Sequence, residues 1–151
     1  MSAVSVATRD NLRYRSEFGA LRALIVDDDE YVRDLMATLL KELGLNVVSA
    51  VTDGTEAVDY VGRHGDEIDV VFLDLVMKKL HGNVALPILK SKRPELKVII
   101  VSAFFMNYNT HFLANLGANG FLEKPFTIKE LENVISCVCT GGNAGVCGLN
   151  R

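Results

Sequence analysis

The sequence predicts a doubly wound α/β domain built on five parallel strands. Three observations point there. Short, nearly uninterrupted apolar runs alternate with segments of helical periodicity. Four of those runs end in polar residues: Asp27 and Asp28, Asp74, Ser102, and Lys124. The length of 151 residues suits one domain with a proper core and is too short for two ordinary ones. In a parallel sheet covered by helices on both faces, the strand ends converge on one edge, where ligands bind.

Each element has its own local signal. Residues 1–20 read as an N-terminal extension, with thin apolar patterning and a helical stretch at most over Thr8 to Phe18. Ala23 to Val26 is the first strand. A helix follows Asp27–Asp28–Asp29, with Val32, Leu35, Met36, Leu39, Leu40 and Leu43 on one face and Gly44 as its stop. Val47 to Val51 is the second strand, and Asp53 with Glu56 opens a helix through Ala57, Val58 and Val61. Val70 to Leu73 is the third strand, ending at Asp74. A loop through Gly82 leads to a helix over Val84 to Ser91, with Pro87 near its start. Val98 to Val101 leads to Ser102, and a helix across Asn107 to Leu116 stops at Gly117. Gly120 to Glu123 ends at Lys124–Pro125. Thr127 and Glu130 form a capping-box pattern for a last helix that turns Ile128, Leu131, Val134, Ile135 and Val138 inward. Residues 140–151 read as a flexible tail rich in Gly and Asn. The folded domain is therefore expected over 21–139.

Composition narrows the function classes. Hydrophobic content of 49% and a mean hydropathy of +0.21 describe a chain that folds. Net charge is −3 and no basic stripe is present, which argues against direct nucleic-acid binding. No stretch is long enough to span a membrane, and the N-terminus has no apolar signal-peptide centre. A cytoplasmic location is expected. The three cysteines, Cys137, Cys139 and Cys147, make neither a disulfide framework nor a zinc pattern, so they are expected to be reduced thiols.

The converging strand ends suggest chemistry. Asp74 is a competent nucleophile toward phosphorus. A carboxylate and an incoming phosphoryl group repel each other, so a divalent cation is required between them. Mg²⁺ takes oxygen ligands from one or two carboxylates, and Asp27 and Asp28 suit that task. Lys124 adds a second positive charge, and the Ser102 hydroxyl can donate to a phosphoryl oxygen. Taken singly, each residue has a plainer explanation: helix capping for the aspartates, a turn for Asp74, loop chemistry for Lys124. Three consecutive acids at a buried strand end facing a fourth would repel one another without a cation.

The chain resembles the receiver domains of two-component response regulators. The resemblance rests on Val26-Asp27-Asp28-Asp29, Asp74-Leu75-Val76-Met77 through Gly82, Ser102-Ala103, and Gly117 through Phe126, in register over roughly Leu21 to Val138. It implies a flavodoxin-like strand order of 2-1-3-4-5. It implies that Asp74 is the phospho-acceptor, Asp28 a direct Mg²⁺ ligand, Asp27 its supporting acid, and the Val76 backbone carbonyl a further ligand. Ser102 and Phe121 match the paired switch residues, the Phe121 ring turning inward on phosphorylation, and Lys124 matches the family's lysine before a cis proline. The donor would be a sensor histidine kinase or a histidine phosphotransfer protein. The chain would catalyse its own phosphotransfer and dephosphorylation rather than act as an enzyme on a separate substrate. The output face would be that of helix 4, strand 5 and helix 5. No output module is expected after Val138, so the signal would pass by protein contact or onward phosphotransfer.

Departures from the family pattern carry expectations of their own. Lys78 and Lys79 stand where a Pro often follows the Met, which predicts a looser acceptor loop. Val76 and Phe104 flank the site with apolar bulk that cannot orient water, predicting a long-lived phosphoaspartate. Phe104, Phe105, Met106, Tyr108 and Phe112 form an apolar cluster that suggests a partner or homodimer contact over 104–112. Two rival readings stand beside this one. An aspartyl-nucleophile phosphatase would want a second acid at Val76, and a pseudo-receiver would lack the intact acidic, hydroxyl and lysine positions.

Overall fold

The computed structural model describes residues 18–103, 109–140 and 147–148. In chain order come β1 (Arg22–Val26), α1 (Glu30–Glu42), β2 (Asn46–Val51), α2 (Gly54–His64), a 3-10 turn (Gly65–Glu67), β3 (Val70–Leu73), α3 (Gly82–Lys92), β4 (Lys97–Ser102), α4 (Thr110–Asn115), β5 (Gly120–Glu123) and α5 (Ile128–Cys139). All strand pairs are parallel, in the order β2-β1-β3-β4-β5. This is the doubly wound, flavodoxin-like order that the resemblance implied.

The apolar runs become the central strands because a parallel sheet is covered on both faces. Alternate residues then feed two core layers. Ile25, Phe72 and Ile99 join Met36, Leu40 and Ile135 on the α1/α5 side. Leu24, Val71 and Ile100 join Val61, Leu86 and Leu113 on the side of α2, α3 and α4. The helix starts follow the capping residues read from sequence. Asp29 caps α1 by accepting from the Tyr31 and Val32 amides, Asp53 caps α2 through the Glu56 amide, and Thr127 with Glu130 completes a capping box on α5.

Several local expectations need correction. α3 begins at Gly82, two residues before Val84, so Pro87 falls well inside the helix rather than near its start. Its missing N–H leaves the Asn83 carbonyl without the usual helical donor. α4 begins at Thr110, capped by Asn109, and is shorter than predicted; residues 104–108 lie outside the described residues. Leu35 and Ile128 face solvent rather than the core. Leu35 sits at the margin of the apolar stripe of α1, and Ile128 is the first residue of α5, at the open end of that helix.

The core also extends past the expected limits of 21–139. Phe18 is fully buried in the α1/α5 layer, and its carbonyl accepts from the Leu21 amide at 2.9 Å. Cys147 is buried in the same layer and is disulfide-bonded to Cys137. The expectation that all three cysteines are reduced thiols is thus overturned for this pair, while Cys139 is exposed and outside the bridge. The ten-residue separation carried no sign of the bridge. It exists because the chain returns to α5 with the two Cα atoms 5.8 Å apart, within bridging range. The rest of the expected tail, 141–146 and 149–151, lies outside the described residues, as does 1–17 of the expected extension.

Candidate functional site

The site is assembled by strand register. Val26 pairs with Leu73, so the next residues, Asp27 and Asp74, leave adjacent strands side by side; the Asp74 amide donates to the Val26 carbonyl at 3.0 Å. Ser102 pairs with Glu123, and the Ser102 carbonyl accepts from the Lys124 amide at 3.0 Å. Four strand ends therefore present their polar residues at one sheet edge.

Asp27, Asp28 and Asp74 each offer a carboxylate oxygen, all within 4.8 Å of one another. Asp27 and Asp74 are buried, and Asp28 lies nearer solvent. Lys124 Nζ donates to Asp27 Oδ2 at 2.6 Å and lies 3.6 Å from Asp74 Oδ2. One ammonium cannot neutralise three acids, and the strain of that imbalance falls on Asp74. Burial, reinforced by the Asp27 charge, pushes its carboxyl up to about 6, although Lys124 and the backbone N–H groups of Leu75 and Val76 favour the ionised form. A hard, oxygen-seeking divalent cation fits this donor set, since it would relieve the remaining repulsion.

The third acid of the run has a different role. Asp29 turns to its helix cap, and its own amide donates to Asp27 Oδ1 at 2.9 Å. Val76, two residues beyond Asp74, has its side chain at the surface. Ser102 is fully buried at the end of β4. Phe121 is likewise fully buried, among Leu73, Ile100 and Leu113 in the core on the α2/α3/α4 side. The ring expected to turn inward on phosphorylation is thus already inward here, because that apolar pocket holds it.

Sequence reading missed the braces around the site. Arg33 Nη1 donates to the Asp27 carbonyl at 2.8 Å, locking the β1–α1 turn. The His81 Nδ1 accepts from the Met77 amide at 3.2 Å, the Gly82 amide donates to the Leu75 carbonyl at 2.9 Å, and the Gly54 amide donates to the Lys79 carbonyl at 3.2 Å. The loop after Asp74, expected to be loosened by Lys78 and Lys79, is instead tied at three points. No local pattern marks Arg33 or His81, because their partners are backbone atoms placed by the path of a turn. The cis Lys124–Pro125 bond is present as the resemblance implied.

A family model for the response regulator receiver domain matches residues 23–136. The chain belongs to the response regulator receiver family. This receiver domain is 39% identical over 117 residues to a protein-glutamate methylesterase/protein-glutamine glutaminase of Rhodospirillum rubrum, covering 76% of this chain and 30% of that protein. It is 33% identical over 120 residues to the sensor kinase CckA of Brucella abortus, covering 78% of this chain and 12% of the kinase. The receiver thus spans less than a third of either relative. Among solved structures, the CheX–CheY–BeF3–Mg complex of Borrelia burgdorferi aligns with a TM-score of 0.73 at 30% identity, over 77% of this chain and 87% of the other. Receiver domains are signalling phospho-acceptors of two-component systems, and they bind Mg²⁺ at an acidic pocket. Among the described residues of this one, no helix is long and apolar enough to cross a membrane.

Proposed function

We propose that this receiver accepts a phosphoryl group on Asp74 from a phosphohistidine donor, a sensor kinase or a histidine phosphotransfer protein, in a Mg²⁺-dependent reaction. The observation that carries the reading is the gathering of Asp27, Asp28 and Asp74 within 4.8 Å beside Lys124. Asp27, Asp28, Asp74 and the Val76 carbonyl would hold the ion. When bound, the ion supplies positive charge that offsets repulsion between carboxylate and phosphoryl oxygens.

An Asp74 carboxylate oxygen attacks phosphorus, the P–N bond to the donor imidazole breaks, and the imidazole nitrogen keeps the electron pair and takes up a proton. Lys124 shifts from Asp27 toward the new phosphoryl oxygens, which carry more charge than the carboxylate they cover. Ser102 donates its hydroxyl to the same group. The buried Phe121 is the aromatic partner of Ser102 in the switch, and the differential contacts of these groups with the phosphoryl set the populations of the two states. Output leaves through the face of α4, β5 and α5, by protein contact or onward phosphotransfer, in the cytoplasm. The Borrelia structure, by its name a CheY in complex with CheX, supports a protein target of this kind.

Incubation with acetyl phosphate and Mg²⁺, followed by intact mass, tests the reading. The wild type gains one phosphoryl group and Asp74→Ala gains none. Undiminished label on Asp74→Ala moves the acceptor elsewhere. No label on the wild type leaves a pseudo-receiver that only binds.

A further inference from the structure

β5 is an edge strand: β4 pairs with one side of it, and among the described residues no other strand covers the second. An open edge presents backbone groups for pairing. Here the chain itself covers that side. The Phe121 amide donates to the Cys147 carbonyl at 3.0 Å. Gly148, with φ of +83, then passes so close to the Phe121 carbonyl that a Cβ at this position would collide with it, and would lie 3.1 Å from Val134 Cγ2 of α5. Cys147 and Gly148 therefore fill the seam between β5 and α5. One covalent bond holds them there, the Cys137–Cys147 disulfide to α5.

We propose that the Cys137–Cys147 bridge is a reversible redox modification site, and that its reduction by a dithiol releases the Cys147–Gly148 strap from the edge of β5 at the switch residue Phe121. The inference rests on the phospho-acceptor reading insofar as β5 and α5 belong to the output face. In reducing compartments, persistent structural disulfides are rare and those that form are mostly transient or redox-sensing. In the cytoplasmic signalling domain proposed above, a bridge of this kind points to regulation.

The step balances simply. A thiolate of the reductant attacks Cys137, the half-buried partner, and the S–S bond breaks with Cys147 leaving as a thiolate that takes up a proton. The reductant's second thiol then displaces Cys137 from the mixed disulfide. Two electrons and two protons pass to the protein, and the dithiol departs as a disulfide. Cys139 stays out of the exchange, since residues two apart on a helix point away from each other. The strap's hydrogen bond goes to the backbone of Phe121 rather than to Asp27, Asp28 or Asp74, so reduction frees the output edge while leaving the acceptor chemistry in place.

The test uses the full chain in four forms: wild type before and after dithiothreitol, Cys147→Ser, and Gly148→Ala, which keeps both cysteines and removes only the room for the strap. Iodoacetamide under native conditions should label Cys139 alone before reduction and Cys137 and Cys147 as well after it. Hydrogen exchange at the β5 amides should be about fivefold faster or more in the reduced protein and in both variants, the effect of losing one backbone hydrogen bond. Acetyl phosphate should label Asp74 equally in all of them. Full alkylation before reduction, or β5 exchange that is the same in every form, overturns the strap. Loss of Asp74 labelling in every form, with β5 exchange still responding, overturns the phospho-acceptor reading and leaves the strap standing.

Discussion

Lys124 is bound to Asp27 rather than to Asp74: its Nζ sits 2.6 Å from Asp27 Oδ2 and 3.6 Å from Asp74 Oδ2. The ammonium is held by Asp27, one side-chain swing from Asp74, the proposed acceptor. Lys124→Ala leaves Asp27 buried without its cation. Urea unfolding at pH 7 without Mg²⁺ should show a loss of about 1–3 kcal/mol. Some Asp74 labelling should survive, while coupling to any target binding is lost. Stability equal to wild type would mean that the ion pair contributes nothing.

The raised Asp74 carboxyl makes a signed prediction about pH. A folded-state value of about 6, against an ordinary carboxyl value of 3.8, means that the fold favours the protonated acid. Ionisation therefore destabilises the protein progressively as pH rises between those two values, and the full cost is present above them. Asp74→Asn removes that cost. It should stabilise the Mg²⁺-free protein at pH 7 by on the order of 2 kcal/mol and make no difference below the lower value. Parallel unfolding curves at pH 7 and in acid check this; a gain of equal size at both would assign it to something other than ionisation.

Asp28 is the acid nearest solvent, so its removal should spare the fold. Asp28→Asn should keep the unfolding midpoint within error in the absence of metal, yet weaken Mg²⁺ affinity about tenfold or more. Calorimetric titration reads the second effect. Unchanged Mg²⁺ binding would remove Asp28 from the ligand set.

Gly82 lies where a Cβ would collide with the Asp74 backbone carbonyl. Gly82→Ala must displace Asp74 or the start of α3. It should lower stability by about 1–3 kcal/mol and sharply slow labelling, whereas Lys79→Ala, at the exposed loop tip, should change neither. Normal labelling of Gly82→Ala would show that the loop has slack.

The Val76 side chain is at the surface two residues beyond Asp74, the proposed acceptor, and cannot orient water. Its phosphoaspartate should last minutes or longer without a partner, and Val76→Asn should shorten that time. A wild-type half-life of seconds, followed by loss of label from intact mass, would contradict the expectation.

Most of the sheet was legible because central parallel strands are buried on both faces and so read as apolar runs; β3, at the centre, begins and ends where its run does. The caps were legible for a similar reason, since Asp53 and Thr127 act on amides only a few residues away. Pro87 misled because the helix start was set by the closing of the acceptor loop at His81, not by any residue beside the proline. Phe104, Phe105, Met106 and Tyr108 lie outside the described residues, so the expected self-association cluster is represented here only by the exposed Phe112.

The order of strand-end acids, hydroxyl and lysine along the chain is written in the sequence, and with it the fold class and the family, because those features depend on local patterning and spacing. Folding alone decided which acid holds Lys124, that Phe121 is packed inward, and that Cys147 returns to bridge α5 across the edge of β5. Each of these depends on a distance of a few ångströms between residues far apart in the chain, and spacing in sequence does not encode such distances.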